Sequence, residues 1–422
     1  MKRFLYITPY FPPNNRVGAL RPLKFVRHIH QFGWEPVIFC DMKLKDSVDS
    51  DLLHHIPDNL DIHRTYSNGA PSAWDAFKNG TFPIKKQKIA GPARTRNHFW
   101  NNPELIPYGE HLVDIPAAIR NGRKILKHTD CKAIVANIDP FAAAHVGHVL
   151  AREFNLPLVP DFRDPWAVCE LRRPMRPLPV RKLVDRLERN IILGSSCIIL
   201  NTDTALRDYR QHYSDLDPAR FTCIRNSGDR NLINHGKSEK LPFRSMLFMG
   251  NLRRFIDGFE VLDVLAELKN RGVNPDTFRL VISGQVLPET YERARALGVE
   301  DMIHPVDPVP YTHVYPLMMS ADILLVIAHN SAQRIPAKFY DYATTGKPII
   351  AISENTELNR MVKRCNGRSF GFDSTKPMAD YIQAVPGESK PDQTASTAGN
   401  MFSAEEGSRA LAGILNKITY TD

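Results

Sequence analysis

Short apolar, β-branched runs alternate with helix-compatible stretches along almost the whole chain, and that alternation leaves few architectures open. Strands that recur with a helix between them build βαβ units, because parallel strands need a crossover long enough to hold a helix. In the first half the strand-like runs are FLYIT, PVIFC ending at Cys40, AIVAN ending at Asn137, LPLVPD ending at Asp161, CIIL ending at Leu200 and FTCI ending at Ile224. Helices are predicted over Arg21 to Gln31, stopped by Gly33, and over Phe141 to Phe154, which follows Pro140. SMLFMG, FRLVISG, ADILLVI and PIIAI repeat the pattern in the second half. The expectation is an α/β chain of two doubly wound, Rossmann-like domains. The first covers 1–225 and the second 242–398. The polar, aperiodic stretch 226–241 reads as their linker, and 399–422 carries a last helix, from about Ala404 to Ile418, free to pack back on the first domain.

With 422 residues, 43% of them hydrophobic, the chain can fill two cores of ordinary size. The apolar runs fall far short of the roughly 18 to 20 residues that cross a bilayer, and MKRFLYITPYFPP, broken by Pro9, reads as a buried strand rather than an export signal. Six cysteines stand singly, without metal-binding spacing, as in the reduced core of a cytoplasmic protein. A formal net charge of +9 attracts polyanions of any kind. Lys85, Lys86, Lys88, Arg94 and Arg96 cluster beside Phe82, Phe99 and Trp100, and Arg172, Arg173, Arg176, Arg181 and Lys182 form a second cluster. Cations among aromatic rings suit peripheral contact with an anionic membrane, here its inner face, although a solvated loop has the same composition.

Ligands of doubly wound sheets bind at the carboxyl ends of the strands, so the residues after strands carry the chemistry. Three places stand out. After the first strand, Gly18 allows close backbone approach, and Arg21 brings a charge to the start of a helix. After SMLFM come Gly250, Asn251, Arg253 and Arg254, an arginine pair suited to a diphosphate. After ADILLVI, a polar loop leads through Gln333, Ile335 and Pro336 into a helix with Ala337, Lys338, Phe339 and Asp341, stopped by Gly346. The N–H groups of Ala337 and Lys338 suit a diphosphate without metal, and Asp341 suits ribose hydroxyls. There is no GxGxxG fingerprint, which disfavours nicotinamide and flavin chemistry.

The segment from Ala321 to Ile352 resembles the donor-binding segment of GT-B glycosyltransferases of retaining family 4. Its hallmark is two glutamates eight apart leading into a helix and a Gly-x-Pro-(Ile/Val) strand; here Gln333 and Asp341 take those places, before Gly346, Pro348 and Ile349. YFPP with Gly18 and Arg21 is similar to that family's first loop, and GNLRR to its phosphate-binding turn, with Arg253 or Arg254 as the cation. Asp139, Pro140 and Phe141, together with Asp161, Arg163, Asp164 and Trp166 of the Asp-x-Arg-Asp-x-Trp stretch, resemble the residues flanking the family's acceptor cleft. Arg163 and Asp164 stand where many relatives hold a His-Asp pair.

The resemblance implies a GT-B fold, two Rossmann-like domains facing each other across a cleft. It also implies transfer of a sugar from a nucleotide-sugar to a glycan or lipid-linked acceptor, as in bacterial surface polysaccharide or lipopolysaccharide synthesis. Arg254, Lys338 and Asp164 are the expected catalytic residues, with Arg253 as a further donor-side cation, no metal or other cofactor, and no nucleic acid partner. A non-hydrolysing sugar-nucleotide epimerase shares this architecture, and a non-catalytic nucleotide- or membrane-binding module is the alternative from another class.

Overall fold

The computed structural model describes residues 1–40, 48–65, 103–138, 140–237, 240–252, 260–328, 331–387 and 399–419. Two compact units divide the chain: Met1–Ile224 with Ser408–Asp422, and Arg225–Gly407.

In the first unit, β1 (Lys2–Ile7), β2 (Trp34–Phe39), β3 (Asp61–His63), β4 (Cys131–Ile138), β5 (Leu158–Phe162), β6 (Ile198–Leu200) and β7 (Phe221–Cys223) form one parallel sheet in the order β3-β2-β1-β4-β5-β6-β7. The second unit repeats the plan with β8 (Arg244–Met249), β9 (Phe278–Ser283), β10 (Ile303–Val306), β11 (Ile323–Ile327), β12 (Ile349–Ile352) and β13 (Gly367–Phe370), in the order β10-β9-β8-β11-β12-β13. Both sheets start in the middle, run to one edge, then return and continue to the other. This is the doubly wound order, and the direction of winding reverses between β1 and β4 and again between β8 and β11. The expected α/β class and winding are therefore observed.

The strands read as unbroken apolar runs because helices cover both faces of each sheet. All five residues of β11 are buried, as are Leu5 and Ile7 in β1. One core gathers Leu5, Ile134, Val146 and Leu150; the other gathers Phe248, Leu265, Ile282 and Leu325. None of the six cysteines forms a disulfide, and apart from half-buried Cys223 they are buried. Among the described residues no helix is long and apolar enough to cross a membrane.

The stretch read as a linker is built into the second unit. Asp229 caps the helical turn Arg230–Ile233, and Gly228 bridges to Ser403. A Cβ on Gly228 would lie 2.5 Å from the Tyr340 carbonyl oxygen, so only glycine lets this segment close on the helix Ala337–Ala343. The last helix spans Ala404–Thr419. Its residues from Ser408 onward belong to the first unit, where Asn416 accepts the Trp34 indole N–H at 3.0 Å and the Ser408 hydroxyl faces the Phe25 carbonyl at 3.4 Å.

Candidate functional site

In the second unit the residues that follow β8 and β11 come together where the winding reverses. Gly250 has φ +122°, a region that side chains penalise, and its N–H bonds to the Ser283 carbonyl at 2.8 Å. A Cβ at Gly284 would lie 2.3 Å from the Gly250 carbonyl oxygen, so paired glycines let the ends of β8 and β9 close on each other. Asn251, expected at the donor, has its side-chain oxygen engaged by the Gln285 N–H at 3.1 Å. Arg253 and Arg254 lie outside the described residues.

Pro336 precedes the helix Ala337–Ala343, and its fixed φ of −56° suits a helix start. The first N–H groups of any helix have no partner within it, which leaves those of Ala337 and Lys338 for another acceptor. The Lys338 ammonium donates to the Met249 carbonyl, at the carboxyl end of β8, and lies 4.0 Å from the centre of the Phe248 ring. A Cβ on Gly250 would sit 3.0 Å from that ammonium. Burial makes the charged form expensive and pushes the Lys338 pKa down to about 8. The Met249 N–H bonds to the Tyr342 hydroxyl at 3.1 Å, which ties the end of β8 to the same helix.

Asp341, one turn on from Lys338, is buried and receives the Tyr311 hydroxyl at 2.9 and 3.1 Å. Burial and the neighbouring carboxylate push the Tyr311 pKa well above its ordinary value, so this phenol stays a donor. Gln333 and Ile335 are buried in the loop before the helix. That loop is pinned by Asn355, whose amide donates to the carbonyls of Ser331, Ala332 and Arg334 at 2.8 to 3.2 Å. The oxygen of the same amide caps the helix Thr356–Arg364 through the N–H groups of Glu357 and Leu358. Phe339, expected at the donor, instead packs edge-on against Tyr340 and Phe402 with no exposed surface. It sits on the core side of the helix.

In the first unit Asn137, at the end of β4, donates to the Thr8 hydroxyl at 3.2 Å and the Gly18 carbonyl at 3.3 Å, joining the loops across the reversal point. The guanidinium of Arg163 fills the space above Gly18: a Cβ there would meet Arg163 Nη1 at 2.7 Å. Asp164 lies 3.7 Å from the same guanidinium. Gly18, Arg163 and Asp164 are thus brought to one place.

Arg21 is not available in the way its sequence position suggests. Its guanidinium grips both oxygens of Asp161 at 2.8 Å, and it also donates to the Ile224 carbonyl at 2.8 Å. Both side chains are buried, so each compensates the other's charge and together they brace the interior. Phe141 and Trp166, expected beside the acceptor, stack at 5.0 Å and are buried, as is Pro140. Their hydrophobic area is consumed by the core. Asp139 lies outside the described residues. Two Asp-x-Asp spacings, Asp49/Asp51 and Asp215/Asp217, are local devices: Asp49 accepts the Asp51 N–H, Asp217 caps Ala219, and Asp215 pairs with Arg189.

Three residues that matter here went unread in sequence. Asn355 was legible in principle, because an Asn just before a helical pattern is an N-cap signal. Tyr311 and Tyr342 carry no local signal; only the fold brings them to Asp341 and Met249.

No family model matches this chain. The D-inositol 3-phosphate glycosyltransferase of Corynebacterium aurimucosum is 25% identical over 227 residues, which are 50% of this chain and 53% of that protein. The chain thus spans about half the length of the curated relatives it matches. Among solved structures, Anabaena Alr3699/HepE in complex with UDP superposes with TM-score 0.61 at 16% identity, covering 99% of this chain and 100% of that one. The sucrose-phosphate synthase of Thermosynechococcus elongatus gives TM-score 0.60 at 13% identity, over 99% and 97%. The chain has the GT-B fold. The GT-B likeness also extends to a putative UDP-N-acetylglucosamine 2-epimerase of Listeria monocytogenes, at TM-score 0.59, 12% identity and 100% and 98% coverage. The GT-B fold alone therefore leaves transferase and epimerase side by side, and the residues must choose.

Proposed function

We propose that this chain is a glycosyltransferase that moves a sugar from a nucleotide-sugar to a glycan or lipid-linked acceptor, with retention at the anomeric carbon and without a metal. The place we assign it is bacterial surface polysaccharide synthesis in the cytoplasm, at the inner face of the cell membrane. The observation that carries the reading is Lys338. Its ammonium stands at the end of β8, beside Gly250 and on the same helix as Asp341. A cation and the free N–H groups of a helix start are what a leaving diphosphate needs, because both stabilise negative charge as it develops. Asp341, fixed by Tyr311, suits ribose hydroxyls. Gln333 offers an amide to the sugar where the resembling family holds an acid. Arg253 and Arg254, which follow β8 in sequence, are assigned to the same diphosphate.

On the acceptor side the reading assigns the place to Arg163 and Asp164 above Gly18, with Asp164 as the ionisable group. The Anabaena structure that holds UDP makes uridine diphosphate the first nucleotide to try. Titration calorimetry with UDP-, GDP-, dTDP- and CMP-sugars tests the proposal, with Lys338→Met and Asp341→Asn as controls. Binding of one of them, weakened at least about tenfold by either substitution, supports it. Unchanged binding in both variants removes this site. Release of an epimerised nucleotide-sugar in the absence of any acceptor would favour the epimerase instead.

A further inference from the structure

The helix Leu178–Leu193 turns Val184, Glu188, Ile191 and Ile192 inward. Its other side faces solvent and would ordinarily carry polar side chains. Leu178 and Leu183 instead stand 66% and 45% exposed there, next to exposed Lys182 and Arg186. The turn that leads into the helix adds Leu171 and Met175, 42% and 51% exposed. Single surface hydrophobics need no explanation, but four large ones between Leu171 and Leu183 do.

Charge decides what covers them. The two acids within this helix are both committed elsewhere. Asp185 is held by Arg173 in a two-pronged pair, and Glu188 is buried, accepting the Ala167 N–H and the hydroxyls of Tyr209 and Tyr213. Arg176 is likewise internal, bonded to the Trp166 carbonyl and Glu104. Further along the same side Arg189 is met by Asp215, but Lys182 and Arg186, beside the leucines, are met by neither acid of this helix. A nucleic acid would satisfy the cations and leave the leucines wet. At the headgroup boundary of a bilayer, acyl chains accept the leucines while anionic headgroups accept the ammonium and guanidinium groups.

We infer that the outward side of Leu178–Leu193, with the turn before it, docks on an anionic lipid bilayer. The inference is independent of the transferase reading, since vesicle binding needs no nucleotide. The full chain is sedimented with phosphatidylcholine vesicles and with vesicles that also contain phosphatidylglycerol, for the wild type and the double variants K182E/R186E and L178S/L183S. All four positions lie on a solvent-facing side, so circular dichroism and the unfolding midpoint are expected to match the wild type. Preference of the wild type for anionic vesicles, reduced about tenfold or more in each double variant, is the expected result. Equal binding to neutral and anionic vesicles overturns the inference, as does wild-type binding by either variant. So does a wild-type dimer that L178S/L183S makes monomeric without changing vesicle binding, because the leucines would then serve a second copy of the chain.

Discussion

The Tyr311 hydroxyl reaches both carboxylate oxygens of Asp341, at 2.9 and 3.1 Å, across 30 positions of sequence. A buried carboxylate is costly unless donors meet it, so this phenol sets where Asp341 stands. Tyr311→Phe removes one hydrogen bond to a charged group, worth about 1.5 to 3 kcal/mol. The expected outcome is a lower unfolding midpoint and uridine diphosphate binding weaker by about tenfold, read by calorimetry. Wild-type affinity in this variant would mean that Asp341 is held for the fold alone.

Lys338 carries a pH dependence whose sign follows from its burial. The folded pKa of about 8 lies below the ordinary lysine value, so between these two pH values the folded state binds fewer protons than the unfolded. This group's share of stability is complete above the unfolded pKa and is lost as pH falls through about 8. A bound diphosphate reverses the preference, since it favours the ammonium. Nucleotide affinity is therefore expected to fall as pH rises through about 8, with proton uptake on binding below the ordinary lysine range. Calorimetry in buffers of different ionisation enthalpy measures that uptake, and Lys338→Met should abolish it.

Much of the fold was legible because parallel strands buried on both faces leave apolar runs that sequence displays directly, as in β11. The helix Ala337–Ala343 was legible for a related reason: Pro336 and Gly346 mark its ends. Arg21, Asp161, Phe141 and Trp166 were misplaced because their type shows what they can bond to, while the partner that wins is set by the fold. Arg21 and Asp161 are 140 positions apart and meet only once β1 and β5 share a sheet. Phe141 and Trp166 stack for the same reason, on loops after β4 and β5.

Asn355 joins two tasks that substitution can separate. Its amide nitrogen holds three carbonyls of the loop that carries Gln333, and its oxygen caps the next helix. Asn355→Ala loses both and should cost about 2 to 4 kcal/mol, a lost cap plus buried carbonyls left without donors. Asn355→Asp keeps an oxygen for the cap but turns an acceptor toward the carbonyls. In Asn355→Asp the helix content by circular dichroism should survive while nucleotide binding weakens. Equal loss of both properties would show that the loop and the cap are not separable.

Glu188 lies beneath the Asp-x-Arg-Asp-x-Trp loop and accepts the Ala167 N–H, which immediately follows Trp166. Burial raises its pKa to about 6, although this N–H, the hydroxyls of Tyr213 and Tyr209 and the charge of Arg176 all work to lower it. Desolvation wins. Because the folded pKa exceeds the unfolded value of about 4.3, the folded state binds the extra proton between them. The stability this group contributes is fully present below the unfolded pKa and is lost as pH rises through about 6, a change of about 2 kcal/mol for a shift of this size. Denaturant unfolding of the wild type should show that loss superimposed on every other titration. Glu188→Gln cannot titrate, so the difference between the two curves isolates the residue. A difference that stays flat from about pH 4 to 7 would mean that the carboxylate is solvated in the folded state, and that the loop after β5 is held by other contacts.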